Sequence, residues 1–199
     1  MPHQVLFIQG GGAKGTHDEW DNKLAESLGR ELGADYEIRY PRMPDEAHPD
    51  YARWKAALQK EFGRLADGAI LVGHSIGGTI LINALVDEPP YLASSGVFLL
   101  AAPFVGEDGW PSEDIKPMSG LGERLPARLP VYVYHGSADE TAPPEHAGLY
   151  ARAIPQAVVR QLSGRDHQLN NDLSEVAIDI RRLAGDEVRR GSGRSTLSR

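Results

Sequence analysis

Apolar and polar positions along the chain follow two alternating periods. Short apolar runs bounded by glycine, proline or charge predict buried strands at Val5–Ile8, Ala69–Val72, Gly96–Ala102, Val131–His135 and Val158–Leu162. Tyr36–Tyr40 alternates like a strand and ends at Pro41. Between these runs, apolar residues recur at helical spacing. Trp20, Leu24, Leu28 and Leu32 form one such face, stopped by Gly33, with Thr16 and Asp18 as candidate caps. Trp54, Leu58, Phe62 and Leu65 form another, in a helix over about Tyr51–Leu65. Further helices are expected over Ile76–Val86, Pro143–Ile154 and Leu173–Leu183.

Strands therefore alternate with helices throughout, which predicts an α/β fold: a three-layer α/β/α sandwich with a mostly parallel sheet. No internal repeat or second core interrupts the series, so residues 1–184 are expected to form one domain. Residues 185–199 are rich in Ser, Arg and Gly and too poor in apolar residues to pack, which predicts a disordered tail. Pro103–Pro130 is long, irregular and rich in Gly and Pro, and is expected to act as a lid. In parallel sheets the site lies beyond the carboxyl ends of the strands. That selects the loops Gln9–Gly15, His74–Gly77, Ala102–Arg128, Gly136–Pro144 and Gly164–Asn171.

Composition narrows the picture. A chain of 199 residues with 41% hydrophobic and 25% charged residues suits a single globular domain with a substantial core. Its net charge of −7 makes nucleic acid a poor partner. The absence of cysteine excludes disulfides and a thiolate nucleophile. Val5–Ile8 opens a strand almost at once, without the charged and long apolar regions of a signal peptide, and no stretch approaches the length of a membrane span. A soluble, cytoplasmic protein is expected; its oligomeric state is left open.

The candidate chemistry centres on Gly73-His-Ser-Ile-Gly77, the G-x-S-x-G pattern of a nucleophile elbow between an apolar strand and an apolar helix. Ser75 at its tip is the candidate nucleophile, and the backbone N–H of Ile76 is a candidate oxyanion donor. A serine hydroxyl needs a base. His167, on the loop after the last strand, is the preferred one. His135 is the rival, whereas His146 falls inside an expected helix as a solvated side chain. Asp139, in His135-Gly-Ser-Ala-Asp-Glu140, is the preferred acid to orient that imidazole, with Glu140 and Asp166 as alternatives. The Gln9-Gly-Gly-Gly12 loop can supply a second oxyanion donor, Gly11 first and Gly12 second. It does not match a P-loop, because Gly15 is followed by Thr16. Trp20, Met43, Trp110 and Met118 are candidates for lining an acyl pocket.

Gly73-His-Ser-Ile-Gly-Gly78, His135-Gly-Ser-Ala-Asp139 and Asp166-His167 resemble the α/β-hydrolase superfamily. The short length, Gly10-Gly-Gly12, Trp20 and the Met43-Pro44 loop resemble, more narrowly, the small serine hydrolases of the retinoblastoma-binding protein nine and YdeN type. The resemblance spans about Val5–Leu183 and implies a compact hydrolase without a large cap domain, with Ser75, Asp139 and His167 as the triad. Gln9 departs from it, since many α/β-hydrolases carry histidine before the oxyanion glycine. Gly10-Gly-Gly-Ala-Lys-Gly15 is also similar to the oxyanion loop of patatin-like phospholipases, whose Ser-Asp dyad would leave His167 without a role. The expectation is a serine hydrolase that cleaves an ester, thioester or small amide of a small-molecule acyl substrate, with no metal or organic cofactor. Acyl transfer or perhydrolysis by the same triad is one alternative. A protein-binding module on a decayed hydrolase scaffold is the other.

Overall fold

The computed structural model describes residues 2–90, 93–115 and 120–194, with 186–194 as backbone only. Its sheet holds six strands: β1 (His3–Ile8), β2 (Tyr36–Arg39), β3 (Ile70–His74), β4 (Gly96–Leu100), β5 (Val131–Gly136) and β6 (Ala157–Leu162). They are ordered β2-β1-β3-β4-β5-β6, and every neighbouring pair is parallel. The helices are α1 (Asn22–Leu32), α2 (Tyr51–Phe62), α3 (Ser75–Asp87), α4 (Leu121–Arg124), α5 (His146–Ala153) and α6 (Ser174–Arg194).

Because side chains alternate across a strand, each central strand feeds two cores. Leu6, Ile8, Leu71, Val97, Leu99, Val131 and Val133 pack towards α2, α3 and α5. Val5, Phe7, Ile70, Val72, Phe98, Leu100 and Tyr134 pack towards α1 and α6. The result is the three-layer sandwich expected from the sequence. The α3 helix is buried almost all round, which explains why its sequence is apolar on every face. Asp50 caps α2 by accepting the Arg53 N–H at 2.8 Å, and Gly33 ends α1 with φ +76°, a conformation that suits glycine.

The chain passes from β1 to β2 on one side, then crosses to β3 on the other. Between β1 and β3 the winding direction reverses, and the loops leaving these strands border the crevice that such sheets use for ligands. Those loops are Gln9–Gly12 and the Ser75 turn.

The structure corrects three local expectations. Thr16–Asp21 is a π-helical turn rather than a capped α-helical start. Thr16 Oγ1 donates to the Ala13 carbonyl, and Asp18 is an exposed partner of Arg42. The wider turn delivers Asp21 into the interior, where its carboxylate finds the Gly10 N–H and His74; single π turns recur at functional sites. The described residues of Pro103–Pro130 do not stand off as a lid. Val105, Ile115, Leu121, Leu125 and Leu129 sink into the core beside α3 because burying them removes a row of apolar side chains from water. Finally, α6 continues to Arg194, past Leu183, where the apolar periodicity stops. Among the described residues no helix is long and apolar enough to cross a membrane.

Candidate active site

The β3 strand ends on His74 in extended conformation, and Ser75 then turns to φ +50°, a left-handed value that costs a non-glycine residue free energy. Crowding enforces this sharp turn. A Cβ on Gly77 would stand 2.0 Å from the Gln9 carbonyl oxygen, and one on Gly73 would stand 2.6 Å from the Gly78 Cα. Only glycine lets the strand, the helix and the loop after β1 approach this closely. The Ile76 N–H opens α3, where no carbonyl of the helix precedes it as a partner.

Three loops converge on the serine. His167 Nε2 lies 2.9 Å from Ser75 Oγ, and His167 Nδ1 lies 2.8 Å from Asp139 Oδ2. The Asp139 side chain is wholly buried, and its Oδ1 accepts the N–H groups of Thr141 and Ala142 at 2.8 and 2.9 Å. Burial alone would push the Asp139 carboxyl up. Hydrogen bonds from His135, His167 and the Ala142 N–H outweigh it and hold the carboxyl well below the usual range. An ionised Asp139 requires hydrogen on Nδ1 of His167, which turns a lone pair on Nε2 towards the serine hydroxyl.

The other candidates fall elsewhere. His135 does not reach Ser75; its Nε2 lies 3.2 Å from Asp139 Oδ2 and 2.9 Å from the Ala142 carbonyl. Both neighbours are acceptors, so Nε2 carries the ring hydrogen, and Nδ1 is buried without a partner among the described residues. His146 is buried rather than solvated. Its Nδ1 accepts the Phe104 N–H at 2.7 Å, and burial, reinforced by His135, lowers its proton affinity. Glu140 is exposed, and Asp166 accepts the Asn170 N–H at 2.8 Å in its own turn.

In the glycine loop, the Gly10 N–H donates to Asp21 Oδ2 at 2.6 Å and the Gly12 N–H to the Glu46 carbonyl at 2.7 Å. Gly11 lies between them, its N–H in no hydrogen bond with a described residue, and a Cβ there would stand 3.4 Å from the Ile76 side chain. Gln9 is buried; its amide donates to Glu46 Oε2 at 2.9 Å and accepts the Met43 N–H at 3.0 Å. Glu46 also accepts the N–H groups of Gly15 and His17, so one carboxylate ties down the whole loop.

Of the pocket candidates, Trp20 is 53% exposed, while Met43 is buried in the main core. Trp110 packs edge-on against the His146 ring with centroids 5.6 Å apart. Met118 lies outside the described residues. Among the described residues no three His, Cys, Asp or Glu side chains are grouped to hold a metal ion.

Sequence reasoning missed two buried groups beside the serine. Asp21 and His74 face one another at 2.8 Å. His74 carried a faint signal, an ionisable residue at the end of an apolar strand. Asp21 carried none, since its Asp-Glu-Trp-Asp context looks like a solvated helix start.

The sequence model of the alpha/beta hydrolase family matches residues 5–187. No curated protein matches the sequence. Among solved structures, the esterase RhEst1 from Rhodococcus sp. ECU1013 is 18% identical, with a TM-score of 0.66 over 92% of this chain and 91% of that one. Est1E from Butyrivibrio proteoclasticus is 15% identical, with a TM-score of 0.67 over 94% and 89%. XC6422 from Xanthomonas campestris, described as a serine hydrolase without lid, is 17% identical, with a TM-score of 0.63 over 95% and 82%. At these identities the likeness is one of fold. Taken with the family match over nearly the whole domain, it leads to one assignment: the chain belongs to the alpha/beta hydrolase family.

Proposed function

We propose that the chain is a serine hydrolase that cleaves a carboxylic ester, thioester or small amide through an acyl-enzyme. The observation that carries this reading is the continuous line from Ser75 Oγ to His167 Nε2 at 2.9 Å and from His167 Nδ1 to Asp139 Oδ2 at 2.8 Å. Ser75 Oγ attacks the acyl carbonyl while its proton passes to His167 Nε2. Asp139 holds the ring orientation and balances the imidazolium. The tetrahedral intermediate collapses, and the leaving group departs with the proton from Nε2. Water then gives a proton to Nε2 and attacks the acyl-enzyme; collapse releases the acid and returns the proton to Ser75. The N–H groups of Ile76 and Gly11 receive the oxyanion. The engagement of the Gly12 N–H with Glu46 supports Gly11 over Gly12 in this role.

Small-molecule acyl substrates are supported by the likeness to the esterase RhEst1 and to Est1E, the latter solved with ferulic acid bound. Gly10-Gly-Gly12, Trp20 and Met43-Pro44 support membership of the small retinoblastoma-binding protein nine and YdeN type. The test is labelling with a fluorophosphonate probe beside hydrolysis of p-nitrophenyl acetate, for wild type and Ser75→Ala. Wild type is expected to form an adduct on Ser75 and to turn over; the variant should do neither. Folded wild type that takes no adduct would favour a binding module on the same scaffold.

A further inference from the structure

Asp21 and His74 are 0% and 1% exposed, and the catalytic steps above use neither. His74 Nδ1 lies 2.8 Å from Asp21 Oδ2, and His74 Nε2 lies 3.0 Å from the backbone carbonyl of His167. A carboxylate and a carbonyl can only accept, so both ring nitrogens carry hydrogen and His74 is an imidazolium. Burial opposes charge on both groups. On His74 it is outweighed by the charge and hydrogen bond of Asp21, so its proton affinity rises. On Asp21 it is outweighed by His74, the Gly10 N–H and Gln168, so its carboxyl is held low.

We infer that the Asp21–His74 ion pair is the positioning element of this site, clamping the main chain of His167 at one end and of Gly10 at the other so that base and oxyanion donor stay in register about Ser75. The inference rests on the serine hydrolase reading. One pair reaches two loops. His74 ends β3 and holds the His167 carbonyl. Asp21 Oδ2 takes the Gly10 N–H at 2.6 Å, and its Oδ1 takes the Gln168 side-chain amide at 3.1 Å. The His74 and His167 rings stand 5.0 Å apart, so the clamp works directly beside the base. A Cβ on Gly10 would come within 3.0 Å of the Ser75 Cβ, so the loop held by Asp21 lies against the nucleophile. Charge-assisted bonds are shorter and stronger than neutral ones, and the rigid imidazole fixes the distance between its two partners. A buried ion pair adds little net stability over well-packed apolar groups of similar size, so its effect lies in the geometry it enforces.

That last point supplies the test. Asp21→Leu, His74→Phe and the double variant are compared with wild type for melting temperature, kcat and KM on p-nitrophenyl acetate. Each single variant leaves a partner unmatched and should lose both stability and activity. The double variant should recover most of the melting temperature, yet its kcat should stay down about 10²-fold with KM within about twofold. Asp21→Asn, which can still accept the Gly10 N–H, should keep more of kcat than Asp21→Leu. Asp179→Asn is the control: this buried acid accepts the Tyr134 hydroxyl at 2.7 Å away from the site, and its loss should lower stability without lowering kcat. If kcat recovers together with melting temperature in the double variant, the pair is merely structural and the inference falls. Nitrogen NMR of histidine-labelled wild type reads the pair without any activity or any variant. Hydrogen on both ring nitrogens of His74 supports the clamp, and one bare nitrogen overturns it. If wild type neither labels nor turns over, the hydrolase reading fails on its own, while the NMR result still decides the ion pair.

Discussion

His167 Nδ1 meets Asp139 Oδ2 at 2.8 Å, with the carboxylate sealed from solvent and the ring still partly open to it. On the proposed serine hydrolase reading, the acid can therefore orient the base without competition from water, while the base remains reachable by a substrate. This asymmetry decides what each substitution should do.

Asp139→Asn keeps the shape but can donate as well as accept, so it can stabilise the wrong tautomer of His167. A fall in kcat of about 10⁴-fold on p-nitrophenyl acetate is expected, with the fold intact by circular dichroism. His167→Ala should be equally silent. His135→Ala, which removes the second imidazole on Asp139 and its contact with the Ala142 carbonyl but does not touch Ser75, should retain most activity. If His135→Ala silenced the protein and His167→Ala did not, the base has been misassigned.

The glycines of the elbow and of a surface helix predict opposite signs for one substitution. In Gly77→Ala the new Cβ meets the Gln9 carbonyl at 2.0 Å, a backbone atom that cannot swing away. Urea unfolding should show a loss of about 3 kcal/mol. In Gly148→Ala, within α5, the Cβ meets nothing within 4 Å. There a gain of about 0.5–1 kcal/mol is expected, because alanine loses less backbone entropy in a helix.

Acid should unfold the protein through its depressed carboxyls. Those of Asp21 and Asp139 are held below their ordinary value of 3.8, and that of Asp172 is drawn to about 2 by the Ser174 N–H and by Arg165. Between 3.8 and the folded values the unfolded chain binds more protons, so stability is present above this window and lost as pH falls through it. His74 has the opposite sign: its raised proton affinity stabilises the fold below 6.5, and that contribution is lost as pH rises through its folded value. Melting temperature followed from neutral pH down to about 2 should therefore fall on the acid side, and Asp139→Asn should flatten that limb. An unchanged acid limb in the variant would mean that Asp139 is not depressed in the folded state.

Apart from the longer α6, the expected strands and helices returned with boundaries shifted by a few residues, since apolar period and glycine punctuation act over neighbouring positions. Ser75 was legible for the same reason: the turn, its flanking glycines and the strand before it lie within one short stretch. His167 and Asp139 were legible more indirectly, through the rule that loops at the carboxyl edge of a parallel sheet meet. His146 was misjudged as solvated because its helix packs against the Phe104 segment, a contact between distant positions.

Local sequence thus determined which elements form, the sharpness of the Ser75 turn and the edge at which chemistry can gather. Tertiary structure alone decided that Asp21 leaves a polar helix start to meet His74, that His135 and His167 approach one carboxylate, and that Val105, Ile115, Leu121, Leu125 and Leu129 pack into the core. The reason is physical. Helical and strand periods and glycine turns are set by bonds and contacts a few residues apart. The partner of a buried charge is set by which distant loops the closed sheet brings together, and no local period encodes it.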